Sequence, residues 1–176
     1  MMAIGISSLF AIPQLYYWKK TFGSAMAYSY GNESFSNWKH PYLLETWFSP
    51  NNGLFLYAPV LILSFIGIAI LIRNNVKFGY FLLFLFLFLS YVFASWWNWW
   101  FGCSFGARSF VEFYVLLSIP LALAIENAWK KKFTKYAVLI FVAACIFINF
   151  DIDYYYDGCF YGSTWDWAGY LKLLTL

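Results

Sequence analysis

The sequence predicts an all-α fold, a polytopic membrane helical bundle of four transmembrane helices plus one short N-terminal span, in a single transmembrane domain over 1–176. Three observations predict it. Of 176 residues, 63% are hydrophobic and 11% charged, whereas a soluble domain carries roughly 25% charged residues. One core of this size cannot hide so much apolar surface. Windows of about 19 residues pick out long apolar stretches. The 21 Phe, 15 Tyr and 10 Trp add rings that suit an interface, since Trp and Tyr prefer the headgroup level. In lipid, backbone N–H and C=O groups must be satisfied within the segment, which makes these stretches helices and not isolated strands.

The first span covers residues 2–17. It is short for a hydrocarbon core that takes about 20 apolar residues to cross, and Pro13 interrupts it. No basic region precedes it, and Lys19 and Lys20 separate it from Ala25-Met26-Ala27, so it reads as a retained segment and not a cleaved signal peptide. Residues 54–72 and 78–97 contain no charged residue, and 133–150 are long and apolar. Within the second of these, Phe81–Leu89 alternates Leu and Phe in the manner of a strand, but its apolar surroundings have membrane length, and length decides for helix. Residues 109–128 are the polar exception, with Glu112, Glu126 and a mid-span Pro120.

Orientation follows from the short loops, because Lys and Arg collect on the cytoplasmic side. Arg73 and Lys77 flank one turn, and Lys130, Lys131, Lys132 and Lys135 crowd another. With both turns inside, segments 18–53, 98–108 and 151–176 share the outer face, the N-terminus is inside and the C-terminus outside. Glu126, beside Lys130 at the inner end, reads as a surface ion pair.

Several function classes drop out. A net charge of +3 is too dilute for nucleic acid. Cys103, Cys145 and Cys159 show no C-x-x-C spacing and His40 is the one histidine, so no zinc or redox motif is present. Asp151, Asp153 and Asp157 lack the glycine and oxygen set of a calcium loop. Glu33, His40 and Glu45 are outer acid–base candidates without a partner at a diagnostic spacing, which leaves the catalytic residue unknown. Cys103 and Cys159 both fall outside, where disulfides persist, and a bridge between them is one expectation.

The densest motif runs from Ser95 to Phe110: Trp96, Trp97, Trp99 and Trp100 end one helix, and a turn with Gly102, Ser104 and Gly106 leads to Arg108 at the start of the next. An aromatic belt explains the tryptophans but not Arg108. A guanidinium beside glycines, at a helix N-terminus, suits bidentate binding of a phosphate. Glu112, four residues on, shares its α-helical face, either as a partner or as the group that positions Arg108 for a ligand. A second motif, Phe48-Ser49-Pro50-Asn51-Asn52-Gly53-Leu54-Phe55, is a turn leading into a helix. Upstream, Gly23–Asn32 is small, polar and aromatic, and includes Tyr30. Aromatic faces with hydroxyl and amide neighbours are also what a sugar ring requires.

Taken together, the Phe48–Phe55 motif, the two spans after it and the Trp-rich segment with Gly102, Ser104-Phe105-Gly106 and Arg108 resemble the C-terminal half of bacterial GT-C membrane glycosyltransferases, in the protein-mannosyltransferase-like branch. The likeness runs from about Pro13 to Thr164-Trp165-Asp166. It implies a transferase of the bacterial inner membrane that takes a sugar from a polyprenyl-phosphate carrier and transfers it on the extracytoplasmic side. Arg108, Glu112, Trp99, Trp100, Ser104 and Tyr30 then form the substrate-binding set. Some relatives use a divalent cation. In that family the acid that activates the acceptor lies in the first outer loop of the N-terminal half, and the outer segment here matches a later loop. The resemblance therefore implies that a missing N-terminal half, or a partner subunit, supplies catalysis. The competing expectation is a non-catalytic membrane subunit that docks a partner through its aromatic outer face.

Overall fold

A computed structural model describes residues 2–27, 31, 33–156 and 165–174. The chain divides into two units, Met1–Ser34 and Phe35–Leu176. Among the described residues every regular element is helical.

The first unit contains α1 (Met2–Phe22), which passes through Pro13 without a break. It runs five residues beyond the expected end at Tyr17, taking in Lys19 and Lys20, and it is not among the helices apolar enough to cross a membrane.

The second unit holds α2 (Leu43–Phe48), α3 (Leu54–Tyr57), α4 (Ile62–Arg73), α5 (Lys77–Ala94), α6 (Tyr114–Trp129), α7 (Lys132–Tyr154) and α8 (Trp167–Leu173). Among the described residues, three helical stretches are long and apolar enough to cross a membrane: α5, Arg108–Trp129 and α7. The expected span 54–72 is not one helix. It breaks at Ala58, where α3 gives way to a 3-10 turn, Pro59–Leu61, and then α4. Pro59 has no N–H to donate, and the residue before a proline is pushed out of the helical region; Ala58 accordingly has φ −133°.

The alternating Leu-Phe run is helix, as expected. Buried positions Gly79, Leu82, Phe86, Ser90 and Ala94 recur every three or four residues along α5, the helical period. Phe86 is the hub of the core. Its ring meets Phe65 at 4.7 Å, Trp47 at 5.8 Å and Phe110 at 5.9 Å, distances at which aromatic pairs attract. Trp47 Nε1 also donates to Ser90 Oγ at 3.0 Å, which fastens α2 onto α5. The α4–α5 turn is a Schellman cap: Val76 N donates to Leu71 O, Asn75 N donates to Ile72 O, and Asn75 takes the left-handed conformation at φ 56°.

α4 and α6 are in close contact at Gly67. A Cβ there would lie 2.5 Å from the carbonyl carbon and 2.8 Å from the Cα of the buried Pro120. Small residues at such crossings let backbones touch, which is how membrane helices gain packing energy.

Candidate functional site

The Phe48–Phe55 motif and the Trp-rich motif of the sequence meet at the end of α5, which stops at Ala94, so that the four tryptophans lie in successive turns and not on a helix end. Ser95 helps to stop it, because its Oγ bonds back to Tyr91 O at 2.6 Å. The segment after Ser34 is tied here: Asn37 N donates to Ser95 O, Asn37 Nδ2 to Trp96 O, and Tyr42 N to Ala94 O. Trp99 stacks on Tyr42 with centroids 5.9 Å apart.

Asn52 joins the two motifs. It is 3% exposed, and its Nδ2 donates to Trp100 O and Gly102 O at 2.8 Å and to Ser104 Oγ at 3.0 Å. Two carbonyl acceptors fix which end of the amide points this way. Ser104 Oγ passes its own proton to Gly106 O. Asn52 adopts φ 59°, a left-handed geometry that asparagine tolerates better than most residues. Gly53 is required beside it, since a Cβ would fall 2.5 Å from Ser49 N and Ser49 O. Gly106 is required in turn: its φ is +74°, and a Cβ would come 2.7 Å from that of Tyr57. The sequence marks the 50–53 turn but not its fifty-residue reach. Asn51 Oδ1, Asn52 Oδ1, Asn98 Oδ1 and Trp100 Nε1 are buried without a hydrogen-bond partner among the described residues, and buried polar atoms of this kind call for water or another polar partner.

Held by this buckle, the chain enters a 3-10 segment, Arg108–Phe113, that leads straight into α6. Arg108 is exposed and borders a recess of about 610 Å³ with Phe93, Phe101, Val111, Glu112 and Phe113. Glu112 does not sit on its face as expected. The expectation assumed an α-helix, but three residues per turn eclipse Arg108 with Val111 and carry Glu112 about 120° round. Among the described residues no carboxylate pairs with Arg108. Glu126 and Lys130 likewise form no ion pair.

Of the expected substrate-binding residues, Arg108 and Glu112 share the recess, Trp100 and Ser104 belong to the supporting buckle, and Trp99 packs beside it on the Tyr42 and Trp100 rings. Tyr30, Asp157 and Cys159 lie outside the described residues. Cys103 is disulfide-bonded and Cys145 is a free thiol. Across Val111 a second groove, about 580 Å³, runs between Tyr57, Phe105, Tyr114 and the α7 positions Cys145, Asn149 and Asp153. Below the buckle α8 closes the turn: Asp166 caps it by accepting from Gly169 N at 2.9 Å, and Trp165 Nε1 donates to Pro50 O at 2.9 Å. Burial pushes the Tyr170 phenol above its usual range. No three His, Cys, Asp or Glu side chains cluster as metal ligands among the described residues.

Set against known proteins, the chain matches no family model, no curated protein and no solved structure. What the fold and site define is a class: a membrane protein, all-helical among its described residues, with three helical stretches long and apolar enough to cross a bilayer and an exposed Arg108 at the start of one of them.

Proposed function

We propose that this chain binds a polyprenyl-phosphate-linked sugar and serves a membrane glycosyltransferase, on the outer side of a bacterial inner membrane. The observation that supports this best is the Arg108 guanidinium, exposed, without a carboxylate partner among the described residues, and walled by Phe93, Phe101 and Phe113. A phosphate head with a hydrocarbon tail is what that combination suits: the fork bonds two phosphate oxygens, and the rings accept the first isoprene units. Sugar transfer needs a cation to stabilise the departing phosphate, and Arg108 is placed to supply it. Glu112, an acceptor in the same recess, suits sugar hydroxyls.

The topology belongs to the same reading. The lysines of the α6–α7 turn face the cytoplasm by the positive-inside tendency, which puts Arg108 outside. The disulfide at Cys103 supports this, because such bonds persist on the oxidising side. Residues 54–73 provide a fourth crossing, about 20 residues spanning on the order of 30 Å, with the break at Ala58 close under the buckle.

The test is direct binding of a polyprenyl phosphate to the purified chain in neutral detergent. Arg108→Ala should weaken binding by about ten- to a hundredfold, the worth of hydrogen bonds to a charged group, and Arg108→Lys should fall between. An unchanged affinity in Arg108→Ala removes the reading.

A further inference from the structure

The turn joining α6 to α7 gathers four cations in six residues. Lys130, Lys131 and Lys132 are exposed and Lys135 is half-buried. None of them has a carboxylate partner among the described residues, Glu126 included. The turn is tight, since Thr134 Oγ1 bonds Ala128 O at 2.7 Å and Lys131 O at 3.0 Å.

Its depth follows from its neighbours. The helical stretches on either side, Arg108–Trp129 and Lys132–Tyr154, are both long and apolar enough to cross a membrane. The turn between two crossings lies at a bilayer surface, whichever way the chain is oriented. Directly beside the lysines are large exposed rings: Trp129 is 45% exposed, Phe133 84% and Tyr136 52%. Lys135 Nζ lies 5.5 Å above the Trp129 ring, a cation–π contact that holds one ammonium over the aromatic collar.

A solvated loop has no use for such a collar, and a free anion gains nothing from it. An anionic lipid uses both parts, with its phosphate among the ammonium groups and its acyl chains along the rings. We propose that the α6–α7 turn is a docking site for anionic phospholipid headgroups, formed by Lys130, Lys131, Lys132 and Lys135. It stands at the opposite end of the Arg108–Trp129 stretch from Arg108 and does not depend on the carrier-lipid reading.

The experiment titrates the full chain in neutral detergent with phosphatidylglycerol, phosphatidylcholine or inorganic phosphate, counting bound molecules by native mass spectrometry. The wild type should prefer phosphatidylglycerol over phosphatidylcholine, weaken as salt rises, and ignore inorganic phosphate at matching concentration. Each lysine near an anionic surface contributes roughly fivefold, so the triple change Lys130→Gln, Lys131→Gln, Lys132→Gln should cost on the order of a hundredfold with the helical circular dichroism kept. The double change Arg73→Gln, Lys77→Gln at the α4–α5 turn should keep the preference. The proposal is overturned if the wild type shows no preference, if the triple variant retains it, if the control loses it equally, or if inorganic phosphate competes on equal terms. Should the triple variant misfold, Lys131→Gln and Lys132→Gln singly, each about fivefold weaker, decide the matter in its place.

Discussion

Replacing Asn52 tests whether the buckle organises the site. Asn52→Ala removes the Nδ2 that serves Trp100 O, Gly102 O and Ser104 Oγ, and it leaves alanine at φ 59°. Two effects add. Each orphaned carbonyl costs about 1–3 kcal/mol if it stays buried, although side-chain hydrogen bonds in membrane proteins average nearer 0.6 kcal/mol because the unfolded state finds partners too. The left-handed backbone costs alanine a further 1–2 kcal/mol or so. The loss should fall between about 2 and about 5 kcal/mol. Asn52→Gly separates the terms, since glycine adopts the turn freely and loses only the hydrogen bonds; it should recover about 1 kcal/mol. Asn52→Asp should be the worst of the three, because a carboxylate would face two carbonyl oxygens. Stability is read from reversible unfolding in mixed micelles by tryptophan fluorescence. If the alanine and glycine variants unfold together, and both within about 0.5 kcal/mol of wild type, Asn52 does not hold the two motifs.

Two further outcomes follow from the packing and the site. Gly67→Ala should destabilise by about 3 kcal/mol, the upper end of overpacking costs, because the three atoms nearest the new Cβ are all rigid Pro120 backbone; a thermal midpoint equal to wild type would show that α4 and α6 do not cross there. Glu112→Gln should change polyprenyl-phosphate affinity less than threefold where Arg108→Ala changes it by ten or more, and equal losses in a binding titration would mean that the two side chains act as a pair.

Much of the fold was readable because membrane length and the helical period act over many residues. The α5 stripe of Gly79, Leu82, Phe86, Ser90 and Ala94 is carried by a stretch too long to be a strand, and Arg73 and Lys77 mark a turn that the structure places between α4 and α5. What escaped was short or distant. Pro59 breaks the span at Ala58 although hydropathy, averaged over a window, runs straight through it. Asn52 reads locally as a turn residue, while its acceptors lie at positions 100, 102 and 104, and no local pattern encodes a contact across fifty residues.

The start of the Arg108–Trp129 stretch shows why the last gap falls on the site itself. An α-helix and a 3-10 helix differ by one residue in hydrogen-bond register, and six residues carry too little periodicity to tell them apart. The consequence for charge is large. In an α-helix, Arg108 and Glu112 would share a face and could pair; in the 3-10 segment the eclipsed neighbour is Val111, and the guanidinium is left without that partner. The segment follows directly on long-range contacts that constrain the chain before it: Asn52 Nδ2 donates to Gly102 O, and Gly106 leaves no room for a Cβ against Tyr57. A local rule thus fails where long-range contacts adjoin the segment, which is where departures from sequence-level consistency are expected to mark function.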